Sequence, residues 1–193
     1  MSVSYFIPDL APEDLHRCEE IVRRSRFIVS LAHTPTPEAA KAFIERIKQE
    51  FPDATHNCWA YAAGAPGQTS KVGYSDDGEP HGTAGRPMLT MLLHGGVGEL
   101  SAVVTRYFGG IKLGTGGLVR AYQGMVKLGL ETLPTREHMI PARVEVSSTI
   151  RILRSFAACC RTTGPPSPRK TSAWTPPTNC CFPIKTSRPS KPR

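Results

Sequence analysis

The sequence predicts a mixed α/β fold, an α+β two-layer sandwich in which helices cover one face of a sheet. Three observations lead to this class. Segments of strand-like composition alternate with segments of helical period, Thr36 and Pro37 form a helix start signal, and residues 100–108 are mostly apolar. A strand as apolar as this last one is typical of the centre of a sheet, where both faces are buried.

The elements of the first half follow in order. Residues 5–7 form a short extended start, and residues 26–32 are predicted to be a strand because they are rich in β-branched and apolar side chains. Thr36 as N-cap and Pro37 at the first helical position begin a helix that ends near Phe51. Its apolar face consists of Ala40, Phe43, Ile44, Ile47 and Phe51.

A hairpin and a second helix are predicted next. Residues 57–63 alternate as a strand, and residues 71–75 continue as its partner after the turn AGAPGQTS. Pro87 opens a short apolar helix that stops at Gly95 and Gly96.

The last predicted helix covers residues 118–133. Leu118, Tyr122, Met125, Val126 and Gly129 face the core, and Arg120, Gln123, Lys127 and Glu131 face outward.

The chain divides into three parts. Residues 1–140 are predicted to form one domain, and residues 141–154 a linker with the start of a second domain, in which residues 143–149 resemble a strand. Residues 155–193 hold eight prolines, two vicinal cysteine pairs and no acidic residue. Because such a segment buries too little apolar surface to offset its ordering entropy, we expect a disordered basic tail.

The charge is unevenly distributed. The formal net charge is +8, but residues 1–145 carry 15 basic and 16 acidic residues, and all of the excess lies in residues 146–193. The pI therefore describes the tail and does not by itself indicate a nucleic-acid-binding domain. The sequence shows no disulfide framework, signal peptide or long apolar run, so we expect a cytoplasmic protein without membrane contact.

Three motifs carry a resemblance to a known family. HNCWAY (residues 56–61), SDDGEPHGTAGRP (75–87) and VVTRYFGGIKLGTGGLVRAY (103–122) closely resemble the amino-terminal domain of the IMPACT/YigZ family, over roughly residues 4–135. The resemblance implies a fold like that of the second domain of ribosomal protein five of the small subunit. It also implies a translation-associated regulatory role without a catalytic residue set.

The sequence departs from the family pattern at two places. His81 stands where the family usually has serine. The ferredoxin-like second domain usual in bacterial members begins near Arg143 and then gives way to the basic tail. We therefore hypothesise a frameshift or truncation near residues 149–155, with a divergent tail as the alternative.

The glycine-rich segment between the apolar strand and the last helix is the first candidate site. Free N–H groups and the helix dipole attract phosphate or carboxylate at such a position. Contact with an anion and a purely architectural role for the glycines both remain open, since the P-loop ending is missing. The candidate binding residues are Arg106, Gly109, Gly110, Lys112, Gly114, Gly116, Gly117 and Arg120.

The acidic turn formed by Asp76, Asp77 and Glu79 is the second candidate site. It could bind a hard divalent ion, although three carboxylates are too few alone. It could also be neutralised by Arg86 or Arg106, or recognise a basic partner.

The remaining reactive and aromatic residues favour structural roles. Strand alternation makes Cys58 a buried inert thiol and not a nucleophile. The tail cysteines do not follow zinc-ribbon spacing. Trp59, Tyr61, Tyr107 and Phe108 could stack on bases, but aromatic residues in strands are usually core.

The sequence thus predicts a non-enzymatic binding protein that contacts RNA, the ribosome or a translation factor. No catalytic residue, metal or cofactor is expected, and the oligomeric state is not defined. The alternative is a phosphate- or nucleotide-binding enzyme that uses the glycine-rich segment and Mg²⁺ held by the acidic turn.

Overall fold

The structure, a computed structural model, describes residues 4–140. The elements in chain order are β1 (Ser4–Pro8), β2 (His16–Val22), β3 (Ser25–His33), α1 (Pro37–Glu50), β4 (His56–Ala62), β5 (Val72–Ser75), α2 (Gly85–His94), β6 (Leu100–Tyr107), α3 (Thr115–Thr132) and β7 (Thr135–Met139). The predictions for residues 141–154 and 155–193, including the aborted second domain, the frameshift and the disordered tail, lie outside the described residues.

The main sheet has five strands in the order β2-β3-β6-β4-β5. All of its neighbouring strands are antiparallel. The apolar strand β6 lies at the centre, where Val104 pairs with Val29 of β3 and with Cys58 of β4. β1 and β7 form a separate two-stranded antiparallel sheet. No helix within residues 4–140 is both long and apolar enough to cross a membrane.

The mixed α/β class is confirmed, but the expectation that helices cover one face of the sheet is wrong. Helices α2 and α3 pack on the face that carries Ala102 and Val104. Helix α1 packs on the opposite face, where Val103 of the same strand contacts its apolar side. A central strand that is apolar at consecutive positions needs cover on both sides, so its composition agrees with this arrangement.

The local signals of α1 act as predicted. Thr36 is the N-cap and its hydroxyl accepts a hydrogen bond from the N–H of Ala39 at 3.2 Å. Pro37 occupies the first turn, where its missing N–H has no cost. The buried residues are Ala40, Phe43, Ile44 and Ile47, as the helical period indicates.

Two strands were missing from the prediction. β2 and β7 are rich in charged residues and mostly exposed, so neither shows the apolar alternation of a buried strand. β2 joins β3 through a two-residue turn in which Arg23 and Arg24 have φ values of 46° and 67°. Positive φ at both central residues defines the type I′ class, which glycine and asparagine normally occupy.

Candidate functional site

Asp76 fastens the acidic turn to the start of α2. Its carboxylate accepts hydrogen bonds from the N–H groups of Gly82, Ala84 and Gly85 at 2.8–3.0 Å. Burial raises the pKa of Asp76, but the three backbone hydrogen bonds outweigh burial and hold the pKa below its ordinary value. The neighbouring His81 is almost fully exposed, with its Nδ1 3.7 Å from the carboxylate.

Asp77 connects the same turn to β4 and α1. Its carboxylate accepts from the N–H of Asn57 at 2.8 Å and from Lys48 Nζ at 2.9 Å. Burial raises its pKa, and these two partners lower it below the usual value. Asp77 therefore already has a backbone donor and a lysine as its partners.

Glu79 is buried and pairs with Arg106. Its Oε1 accepts from Nη1 of Arg106 and, at 2.9 Å, from the hydroxyl of Tyr122. The guanidinium of Arg106 also lies over the rings of Phe27 and Phe108, each centroid 5.5 Å away. A buried charge pair held by additional hydrogen bonds and ring faces is an internal structural feature.

The burial of Arg106 corrects its assignment as a contact residue. Only 5% of its surface is exposed, so it does not reach a partner at the surface. Its side chain lies on the same face of β6 as Leu100, Ala102 and Val104, which are all buried. Three roles were predicted for the acidic turn: metal binding, neutralisation by basic residues, and recognition of a basic partner. Its contacts support neutralisation, because Asp77 pairs with Lys48 and Glu79 pairs with Arg106. The described residues contain no cluster of three or more acidic, His or Cys side chains that could hold a metal.

Cys58 lies below the acidic turn and is fully buried. Burial raises the pKa of the Cys58 thiol to about 12, and the carboxylates above it act in the same direction. Its sulfur donates to the carbonyl oxygen of Asp76 at 2.9 Å. A buried thiol with this pKa stays protonated, so the structure agrees with an inert role.

The glycine loop, residues 108–117, connects β6 to the first turn of α3. A Cβ on Gly109 would overlap the carbonyl oxygen of Arg24, so glycine is required there by packing. Gly110 and Gly114 have φ values of 84° and 75°, which favour glycine. Gly117 has little space, but a Cβ on Gly116 would meet no atom within 4 Å. Architecture therefore accounts for several of the glycines and leaves Gly116 without a packing reason.

The exposed cations of the loop lie near the start of α3. The N-cap residue Gly114 provides no side-chain acceptor, so the first N–H groups of the helix receive no side-chain cap. Lys112 and Arg120 are both exposed, and Arg120 Nε donates to the carbonyl oxygen of Gly116 at 3.2 Å. Neither cation forms an ion pair with another residue of the range 4–140.

A cleft of about 370 Å³ separates β2 from α3 next to the loop. Arg23 and Arg120 both line it, together with Glu20, Leu113, Gly117 and Gly124. Arg23 and Arg24 were absent from the predicted site because β2, and with it the hairpin turn, was not recognised. The adjacent pair of basic residues directly before the strand at residue 26 was the signal that could have found them.

The aromatic residues divide between the core and the surface. Tyr61 is buried and Trp59 packs against the core under α1, as expected for aromatic residues in strands. Phe108 differs because it is 45% exposed at the start of the glycine loop, with its ring over Arg106.

Comparison with known proteins decides the family. The Impact N-terminal domain family matches residues 23–130, which is more than half of the chain. The chain belongs to this family. The resemblance stated from the three motifs is thus confirmed, and the matched range contains the acidic turn, the glycine loop and both arginines of the hairpin turn.

Individual members of the Impact family are closely similar. The chain is 58% identical over 117 residues to the IMPACT family member YigZ of Escherichia coli (strain K12), covering 61% of this chain and 57% of that protein. It is 49% identical over 141 residues to an IMPACT family member of Haemophilus influenzae, covering 73% and 65%. The chain thus spans less than two thirds of the length of these relatives.

Two solved structures are also similar. One, described as a crystal structure of a hypothetical protein, has 51% identity and a TM-score of 0.66, covering 72% of this chain and 66% of that chain. The other is the two-domain translational regulator Yih1, with 23% identity, a TM-score of 0.40, and coverage of 65% and 51%.

Proposed function

We propose that the chain is a non-enzymatic, translation-associated regulatory domain that acts by binding. The binding surface is the glycine loop with the start of α3, and Lys112 and Arg120 are its contact residues. The partner belongs to the translation apparatus as RNA, ribosomal surface or translation factor, and the cytoplasm is the compartment in which such a partner is found. The translational setting rests on membership of the Impact family and on what the motif resemblance implies.

One observation carries the assignment of the surface. Lys112 and Arg120 are exposed cations without ion pairs among residues 4–140, beside a helix start without a side-chain cap. Residues 1–145 as a whole are close to neutral, so this positive region is local and not part of a general basic character. Unpaired cations and outward N–H groups at a helix N-terminus attract anionic groups.

The geometry gives no support to the alternative of a nucleotide-binding enzyme. That function requires Asp77 or Glu79 to hold Mg²⁺, whereas Asp77 binds Lys48 and a backbone N–H, and Glu79 is buried against Arg106. Because only 8% of Glu79 is exposed, a hydrated Mg²⁺ ion cannot reach its carboxylate from solvent.

Sedimentation of the full chain with ribosomal particles tests the proposal. The wild type is expected to move into the gradient with ribosomal particles when cell extract is sedimented through sucrose at low salt. Charge reversal by Lys112→Glu and Arg120→Glu is expected to leave most of the protein at the top of the gradient. The matched control is Lys41→Glu with Lys71→Glu, which changes the charge equally at two other exposed positions.

If the double reversal at Lys112 and Arg120 sediments like the wild type, these residues are not the contact. All variants keep the basic residues of 146–193, so attraction by that segment is constant across the comparison.

A further inference from the structure

We infer that the cleft between β2 and α3 binds the sugar–phosphate backbone of single-stranded RNA. Arg23 and Arg24 of the hairpin turn contact phosphates together with Arg120, and the exposed ring of Phe108 stacks on a base. This assignment names the ligand of the surface proposed above and therefore rests on that proposed function. It adds three residues, Arg23, Arg24 and Phe108, to the contact surface.

Cations from two separate elements converge on one cleft. Arg23 comes from the β2–β3 turn and Arg120 from α3, and both line the same volume of about 370 Å³. Arg24 is linked to the glycine loop because its carbonyl oxygen lies directly against Gly109. The hairpin turn and the loop therefore form one continuous surface, on which Lys112 supplies a further exposed charge.

The charge balance of this surface favours a polyanion. Arg23, Arg24, Lys112 and Arg120 are all exposed, and none forms an ion pair with a residue between 4 and 140. The cleft itself is lined by two cations, Arg23 and Arg120, and by one carboxylate, Glu20. Cationic grooves that follow a backbone of repeated phosphates have this composition.

The turn itself carries a conformational cost that its sequence does not minimise. Arg23 and Arg24 both adopt positive φ, where side chains with a Cβ are disfavoured and Asn-Gly is preferred. The two central positions of the turn hold arginines, although asparagine and glycine would adopt this backbone conformation at a lower energy. Such local strain is common where side chains are retained for binding.

Phe108 distinguishes single-stranded RNA from a simple anion or an acidic protein. Its ring is 45% exposed and its inner face lies on the Arg106 guanidinium, 5.5 Å from the centroid. Its N–H is fixed by the hydroxyl of Thr55 at 3.0 Å, so the ring is held at the surface next to the loop. Phe108 does not line the cleft itself, but it directly precedes Gly109, which lies against Arg24 of the hairpin turn. An aromatic face next to cationic side chains is the pattern that binds unpaired bases.

Fluorescence anisotropy with the full chain and a labelled oligouridylate of about 15 nucleotides tests the inference. Binding is measured at several salt concentrations so that affinity and the slope of log K against log salt are both obtained. The key variant is Arg23→Asn with Arg24→Gly, which removes two charges but gives the turn its preferred residues. It is expected to fold with a melting temperature at or above that of the wild type.

The two contact types predict different results. Loss of two phosphate contacts lowers the magnitude of the salt slope by about 1.4, at about 0.7 per phosphate on a single strand. Phe108→Ala weakens binding at least about fivefold but leaves the slope unchanged, because stacking releases no counterions. Phe108→Tyr, which keeps the aromatic face, binds like the wild type. The control Lys41→Ala with Lys71→Ala also keeps the wild-type slope.

The outcomes that overturn the inference are distinct from those that overturn the proposed function. If the hairpin variant and Phe108→Ala both bind oligouridylate like the wild type, the cleft is not an RNA site. If the wild-type chain binds oligouridylate no more tightly than the hairpin variant, but still sediments with ribosomal particles through Lys112 and Arg120, the contacted surface is protein. In that case the inference fails and the proposed function remains.

Discussion

Glu79 of the acidic turn forms a buried charge pair with Arg106. Glu79→Gln keeps the shape of the side chain and the acceptor for Tyr122 but leaves the buried guanidinium without its countercharge. We predict a loss of about 3–5 kcal/mol in the free energy of unfolding, because removing one partner of a buried pair leaves an uncompensated charge. Urea titration followed by circular dichroism measures the change.

The control for this prediction is Glu131→Gln, since Glu131 pairs with Lys127 on the exposed face of α3. Exposed ion pairs contribute little, so its urea midpoint should stay close to that of the wild type. Adding Arg106→Met to Glu79→Gln should recover part of the lost stability by removing the uncompensated charge. A double variant that is less stable than Glu79→Gln would show that Arg106 is needed for its ring contacts and not for its charge.

The position of Arg106 shows how far single residues could be assigned from the sequence. A basic residue beside five glycines suggested a surface contact, yet strand alternation places residue 106 on the same face as Leu100, Ala102 and Val104. That alternation was available from the sequence. Its partner Glu79 was not, because the two residues are 27 positions apart and only the pairing of β4, β5 and β6 brings them together.

At the scale of elements, the packing of the glycine loop against the hairpin turn requires glycine at position 109, where the two backbones come close together. Gly109→Ala would force a Cβ against the carbonyl oxygen of Arg24, so either the loop or the hairpin turn must move. We predict a loss of at least about 2 kcal/mol in stability, in the range of other overpacked sites. Gly116→Ala is the matched control because a Cβ at that helical position has open space.

Gly116→Ala is itself expected to change the stability. Alanine in the first turn of α3 should raise stability by about 0.5–1 kcal/mol, because glycine loses more backbone entropy on folding. Melting curves of the two variants should therefore shift in opposite directions. Equal shifts would mean that the contact of Gly109 with the hairpin turn relaxes without cost.

Elements with strong local signals could be predicted, and elements held by long-range pairing could not. Thr36, Pro37 and the spacing of Ala40 to Ile47 define α1 without reference to the rest of the chain. β2 reads HRCEEIV and β7 reads TREHM, and within residues 4–140 each is an edge strand that pairs with one neighbour, β3 and β1 respectively. Charged residues are tolerated at such edges, so neither sequence resembles a strand by composition.

At the scale of the whole molecule, the buried side chains of Cys58 and Tyr122 make stability depend on pH. Burial raises the pKa of Cys58 to about 12, and burial also raises the pKa of Tyr122, whose hydroxyl binds Glu79. An unfolded thiol ionises near pH 8.5, whereas the folded thiol keeps its proton. The stability contributed by this difference is complete below about pH 8.5 and is lost as the pH rises toward the folded pKa.

We therefore predict that Cys58 alone makes the free energy of unfolding fall by about 1.0–1.4 kcal/mol per pH unit between about pH 9 and pH 10, measured as urea midpoints under reducing conditions. Tyr122 adds a smaller loss in the same direction. The decrease in stability above about pH 9 is called the alkaline limb below. Cys58→Ala removes the buried thiol and should make this limb shallower, although the small cavity lowers stability at every pH. Cys18→Ala keeps the buried thiol and should retain the limb. The slope, and not the absolute stability, is the quantity to compare, because the cavity acts equally at each pH. A Cys58→Ala limb as steep as that of the wild type would assign the alkaline loss to other groups and show that Cys58 is not buried as a neutral thiol.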